Sequence, residues 1–347
     1  MMNVDTAVLK NLIVHYVGSK SSNDPVYLSD EELEPEPEVL EFIRSGLLQK
    51  FRTLPEQYAF THPSSLDFNE VYTFCKRLFN QELSLVEASA GMARHLYESS
   101  DHPKVKGGEF YVAFFEGLPV ESRMHKAIGL FKTENKALYL DVSQERNKFH
   151  VSMNEGVELT KIDKGCLVIQ TKEEEGYDVW IFDNQNRGEE AQYWKEKFLS
   201  LTPQKNEFHQ TNHFLNLTRQ FITEQLDTEL KIPRTEQVEL LHKSINYFKG
   251  KDAFDIDEFQ SEVFTSEEMI GSFRQFGSRY TEAHDFDIAS SFDISPDAVK
   301  KQARVYKSVV KLDKNFHIYI HGRTDLIEKG VDLDGRKFYK IYYQEEA

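Results

Sequence analysis

The run Phe110-Tyr-Val-Ala-Phe-Phe115 has no charged or strongly polar member, and it constrains the fold more than any other stretch. Side chains of a strand point alternately to opposite faces, so a half-buried strand alternates apolar with polar residues. A continuously apolar strand needs cover on both sides. Glu109–Glu116 is therefore expected to be the central strand of a sheet with material packed on each face.

Helical spacing precedes it. Val71, Phe74, Cys75, Leu78 and Phe79 fall at i, i+3, i+4, i+7 and i+8 of Asn69–Gln81, the stripe of an amphipathic helix. A second helix over Ser84–Ser99 places Val86, Ala90, Ala93 and Tyr97 on one face, with small residues that permit close approach. His102-Pro103 and Gly107-Gly108 then break the chain before the central strand. Ala7–Val17 is a further expected strand. Others follow at Lys126–Thr133, Ala137–Val142, Val157–Ile162, Cys166–Thr171 and Tyr177–Asn184. No long helical crossover separates them, so a mainly antiparallel sheet built from hairpins is expected. Glu189–Ser200 is expected to be a helix closing this half, and Leu201-Thr-Pro203 is the expected boundary.

Beyond it the pattern turns helical. Phe214, Leu217 and Phe221 share a face, Val238, Leu241, Ile245 and Phe248 step by three and four, and Met269, Ile270, Phe273, Phe276 and Tyr280 do likewise. Ser295-Pro296-Asp297 is a helix start with a hydroxyl cap, a proline in the first turn and then an acid. That helix is expected to reach Tyr306. Phe316, Ile318 and Ile320 alternate with His317, Tyr319 and His321 as a strand, and Asp334-Gly335 marks a tight hairpin before Lys337–Tyr343. The expected fold is α+β. Residues 1–203 form an antiparallel sheet flanked by helices, and residues 204–347 form a mainly helical domain ending in a small β element.

Only 39% of the chain is hydrophobic, but it holds 26 Phe and 16 Tyr, and each aromatic ring buries a large area. Cys75 and Cys166 are the two cysteines, too few to staple a fold of this size, and both fall on expected core positions of a reducing compartment. The start lacks a basic segment followed by an apolar run, and no apolar stretch approaches the length of a membrane span. A soluble cytoplasmic protein with no membrane partner is expected.

The formal net charge of −16 opposes long-range attraction to DNA. Against it stands Ala298–Lys314, with Lys300, Lys301, Arg304, Lys307, Lys311 and Lys314 facing the single acid Asp313. Lys300, Arg304 and Lys307 step by four and three along one helical face. Such a stripe can follow phosphates without reading bases, or it can be an ordinary solvated face. Ile288–Lys301 also resembles the core of a helix-turn-helix, with Ala289, Ile294 and Val299 at packing positions and the lysines on the second helix. Asp293 stands there in place of a turn glycine and Gln302 at a normally apolar position. Lys104 and Lys106 beside Gly107-Gly108 could bind phosphate through backbone N–H groups, or the glycines could simply fix the entry to the central strand. The acid run Ser29–Glu38 lies ahead of a helix carrying Val39, Phe42, Ile43 and Leu47, where carboxylates complement the helix dipole. His209 and His213 have i, i+4 spacing without the intervening glutamate or third ligand of a metal site. No linear motif of a hydrolase, nucleotide-binding loop or kinase is present, so no catalytic residue, metal or cofactor is assigned.

Several phrases carry a resemblance. His95-Leu-Tyr-Glu-Ser-Ser-Asp-His-Pro-Lys-Val-Lys-Gly-Gly-Glu-Phe-Tyr-Val112, Lys161–Ile169, Glu190–Leu199, Leu9–Gly18 and the tail around Asn315–Ile320 resemble the bacterial 37-kDa nucleoid-associated protein family. The likeness implies a non-enzymatic protein of the nucleoid. Contact with double-stranded DNA would be direct, through the lysine stripe, or indirect, through a DNA-processing protein partner. The oligomeric state is left open.

Overall fold

The computed structural model describes residues 2–120, 122–184, 193–284, 286–306, 308–312, 315–320 and 326–345. The chain divides into two compact units, Met1–Gln204 and Lys205–Ala347.

In the first unit, β1 (Val8–Val17) and the short β2 (Val26–Tyr27) precede α1 (Pro37–Leu48), β3 (Tyr58–Phe60), α2 (Glu70–Phe79) and α3 (Leu85–Ser99). Then come β4 (Gly108–Val120), β5 (Arg123–Lys132), β6 (Ala137–Glu145), β7 (Lys148–Gly156), β8 (Lys164–Ile169), β9 (Asp178–Asp183) and β10 (Leu201–Pro203). Eight of these strands form one sheet in the order β10-β3-β9-β8-β5-β4-β1-β2, with every neighbouring pair antiparallel.

β4 is an interior strand, between β5 and β1 and not at the middle of the sheet, and its two sets of side chains enter different cores. Phe110 and Val112 join Ile128, Leu130, Cys166 and Val168 beneath α2 and α3, whereas Ala113 and Phe115 join Phe131, Leu167 and Ile169 on the face that also receives Leu47, Leu48 and Phe51. This double cover is why the run Phe110–Phe115 within it carries no charged residue. Both cysteines are buried free thiols. α2 is capped by Asn69, whose side chain accepts from the Tyr72 N–H, and α3 by a reciprocal Ser84–Glu87 capping box, each of which fixes a helix start.

One expectation needs correction. The strand placed at Val157–Ile162 is instead a 3₁₀ turn at Leu159–Lys161, and the strand that pairs with β6 is β7, which lies just before it. Leu201-Thr-Pro203, next to the division between the units at Gln204, is in addition an edge strand paired with Tyr58–Phe60. Of the helix expected at Glu189–Ser200, Tyr193–Phe198 is π-helical, and the part before Tyr193 lies outside the described residues.

Glycine is required at the start of β4. A Cβ on Gly108 would lie 1.6 Å from the Thr133 carbonyl oxygen, and one on Gly107 would lie 2.3 Å from an Asp24 carboxylate oxygen. Close backbone approach accounts for Gly108, whereas at Gly107 the nearest neighbours are the Asp24 carboxylate and the Tyr16 hydroxyl.

His15, on β1, is buried, and its Nδ1 accepts from the Ser29 N–H at 3.0 Å. Burial first, and then the Arg94 charge, pull its pKa from 6.5 down to about 4. Between those values the unfolded chain holds the extra proton, so stability falls as pH drops through 6.5 toward 4. The total amounts to roughly 3 kcal/mol. Urea melts followed by the fluorescence of Trp180 and Trp194 at pH 7 and pH 4 check this. His15→Gln should flatten the pH dependence by about that amount, and an unchanged dependence would rule His15 out as its source.

In the second unit, α4 (Glu207–Gln220) continues through a π turn into α5 (Leu226–Glu229), followed by α6 (Arg234–Gly250), β11 (Ala253–Asp255), α7 (Ile256–Val263) and α8 (Glu267–His284). β12 (Ser291–Asp293), α9 (Pro296–Ala303) and the hairpins β13 (Ser308–Leu312)–β14 (Phe316–Ile320) and β15 (Ile327–Val331)–β16 (Lys337–Ile341) complete it. Its core is aromatic. Phe214 on α4 meets Phe254 at 4.3 Å and Phe259 edge-on at 5.1 Å, so rings supply the area that aliphatic residues leave unfilled.

Candidate nucleic-acid interface

The α9 helix begins where the sequence places it. The Ser295 hydroxyl accepts from the Ala298 N–H, and Pro296 occupies the first turn. One face packs on α4: Ala298, Val299, Gln302 and Tyr306 are buried. Gln302 donates to the Asn212 side chain at 2.7 Å, and the Tyr306 hydroxyl donates to the Leu215 carbonyl. The polar Gln302 in an apolar position is thus answered by a polar partner on α4, as burial demands.

With that face turned inward, Lys300 and Arg304 point out, i and i+4 apart, both exposed. Neither forms an ion pair among the described residues. Lys301 is exposed as well, but its ammonium lies 5.3 Å from the Phe208 ring centroid, a cation–π arrangement against α4. The helix ends at Ala303, short of the expected Tyr306, because Arg304 and Val305 turn and Tyr306 dips into the core. Lys300 and Lys301 therefore sit in the last turn, where cations also complement the helix dipole. Lys311 lies on β13, opposite His317 of β14. Lys307 and Lys314 lie outside the described residues.

The signal that sequence reading missed is wider than the stripe. From Lys300 to the C-terminus there are eleven Lys and Arg against seven Asp and Glu, a cationic segment in a chain of net charge −16. Within β15–β16, Arg336 is paired with Asp332 and Asp334, and Lys340 lies 4.0 Å from Glu328. Lys329 and Lys337 face Tyr339 and Val331 across the ladder.

The helix-turn-helix that Ile288–Lys301 resembles is not formed, and the segment enters a proline-capped helix instead. Ser291–Asp293 is a strand paired with β11, and the Phe292 ring stacks on Phe254 at 4.5 Å. An aromatic residue with a buried cross-strand partner favours the sheet over a helix. A helix, a short connection and a second helix do occur earlier, as α7, Phe264–Ser266 and α8. Their exposed surface carries Asp257, Glu258, Glu262, Glu267, Glu268 and Glu282 with Arg274 and Arg279. Arg274 itself donates to Gln260 and lies 3.5 Å from Asp257. Such a face repels phosphate.

In the other unit, Lys104 and Lys106 are both exposed in the loop entering β4. The Lys106 ammonium donates to Asn135 at 2.8 Å, and its carbonyl accepts from Lys132.

Two other clusters have defined geometry. His209 and His213 stack at 4.3 Å between ring centroids, with Phe286 4.9 Å beyond His213. Among the described residues no group of His, Cys, Asp and Glu is arranged to hold a metal ion. A buried charge network closes one end of the sheet. Lys132 and Lys164 are cross-strand neighbours on β5 and β8, both fully buried, and the Glu134 carboxylate bridges them at 3.4 and 3.6 Å. Asp183 holds Lys164 at 3.1 Å, and the Tyr193 hydroxyl donates to Glu134. Burial first, opposed by the nearby Glu134, draws the Lys132 pKa down to about 8.

Among the described residues no helix is long and apolar enough to cross a membrane. A search of curated proteins finds no match. A family model described as nucleoid-associated protein YejK matches residues 13–334, nearly the whole chain. The antiparallel sheet unit and the helical unit with its cationic end therefore belong together to one protein family, and this chain is a member of the nucleoid-associated protein YejK family (NA37).

Proposed function

We propose that the protein is a non-enzymatic component of the nucleoid that contacts duplex DNA directly, weakly and without reading bases. Lys300, Lys301, Arg304, Lys307, Lys311 and Lys314 carry the contact, and Lys104 and Lys106 add to it from the other unit. The supporting observation is the pair Lys300 and Arg304, exposed on one helix face and without ion pairs among the described residues, inside the cationic segment of an otherwise acidic chain. A stripe of this size exchanges counterions with the phosphate backbone, and non-specific affinity of about 10⁻⁴–10⁻⁶ M at physiological salt follows. Fluorescence anisotropy with two duplexes of equal length and unrelated sequence tests the absence of base reading. Their affinities should agree within about twofold, because phosphate contacts carry no sequence information. A preference above about tenfold would require base contacts and would overturn the proposal.

One observation favours a second reading. The acidic surface of α7 and α8 fits a basic protein better than it fits DNA. In that case the chain is an adaptor held at the nucleoid by a DNA-processing protein. Partners retained from lysate after nuclease treatment support the adaptor; their loss supports direct attachment.

A further inference from the structure

We infer that the β6–β7 hairpin is a self-association arm that pairs with the same arm of a second copy of this chain. The two strands run as an isolated ribbon, paired from Ala137↔Gly156 to Glu145↔Lys148 and belonging to no larger sheet. Register sorts its side chains by face. Leu140 lies opposite Met153, and Val142 opposite Val151, while Leu138 and Phe149 extend the same face toward Glu155 and Gln144. The other face carries Tyr139, Asp141, Ser143 and Glu145 with Lys148, His150, Ser152 and Asn154.

All six apolar side chains are 58–68% exposed. A two-stranded ribbon is marginal in water on its own, and an apolar patch of several hundred Å² on a monomer marks an interaction surface. The patch continues at its base, where Leu138 also lines an open cavity of 530 Å³ with Phe42, Gly46 and Leu159.

Three features select a second copy as the occupant. First, the face holds two rows of large aliphatic and aromatic side chains with polar residues only at its ends, which suits another such face and not a phosphate backbone. Ribbons with this alternation stack face to face about 10 Å apart, as the layers of a sandwich do. Second, two arms so laid would bury on the order of 1,200 Å² in total, the lower limit of a specific interface. Third, residues 136–156 contain Lys136, Arg146 and Lys148 against Asp141, Glu145 and Glu155. The arm is locally neutral, so the facing arms add no like-charge repulsion of their own, and the charge of the rest of the chain is screened by salt.

Analytical ultracentrifugation of the full chain over a wide micromolar range tests the inference. The expected result is a dimer, weakened at least ~100-fold by Leu140→Asp with Val151→Asp, because each copy would bury two unpaired charges. Asp141→Ala with Ser152→Ala, on the opposite face, should leave the dimer intact. Circular dichroism verifies that both variants remain folded, which exposed positions predict. A monomeric parent chain, or a dimer that the paired aspartates leave unchanged, would overturn it.

Discussion

Glu134→Gln is expected to destabilise the sheet-bearing unit by about 3–5 kcal/mol, the usual result of removing one partner from a buried ion network. The reason lies in the register. Lys132 and Lys164 face each other across β5 and β8 with no exposure to solvent, and Glu134 reaches both ammonium groups. Without its charge, two buried cations confront each other where the dielectric screens them poorly. Lys164 retains Asp183 at 3.1 Å, so Lys132 bears most of the loss. Adding Lys132→Met to Glu134→Gln should recover much of the stability, since the repulsion and the unpaired charge vanish together. Urea denaturation read by the fluorescence of Trp180 and Trp194, both in this unit, measures each variant. A loss below about 1 kcal/mol for the single change, the value of an exposed pair, would mean that the network is solvated.

The second large effect concerns DNA. Replacing Lys300, Lys301, Arg304 and Lys307 together by Ala should lower affinity for duplex DNA about 10–100-fold at 0.1 M salt, because each lost phosphate contact removes a counterion-release contribution. Stability should hardly change: Lys300, Lys301 and Arg304 are exposed, and exposed substitutions usually move stability by less than about 0.5 kcal/mol. Binding equal to that of the parent chain would place the contact elsewhere and leave the adaptor reading as the better one.

Much of the framework was legible in the sequence because burial leaves a periodic trace. The unbroken apolar run in β4 reflects two covering layers, and the three-and-four spacing of Val71, Cys75 and Leu78 reflects one. The β6–β7 arm was half legible. Phe149, Val151 and Met153 alternate as a strand should, yet that face packs on no core, and the strand reading fell on Val157–Ile162 instead. Ala289, Ile294 and Val299 resembled helix-turn-helix packing positions, whereas Asp293 already departed from the pattern. Helix-turn-helix spacing was present, but the Phe292–Phe254 stack is a long-range contact that no linear pattern encodes. The buried network was invisible because lysines at strand ends ordinarily reach solvent. Only the pairing of Lys132 with Lys164, and the return of Glu134 between them, shuts these two in. The cationic stripe was legible as composition. Its division into outward Lys300 and Arg304 and a Lys301 leaning over Phe208 depends on how α9 sits on α4.

The most direct measurement is the dependence of DNA affinity on salt, comparing the parent chain with the variant lacking Lys300, Lys301, Arg304 and Lys307. Eight phosphate contacts, six from the stripe and two from Lys104 and Lys106, predict a slope of log K against log salt of about −7, falling to about −4 when four are removed. Parallel lines for the two proteins, or affinity that does not respond to salt, would contradict direct attachment through the cationic end of the chain.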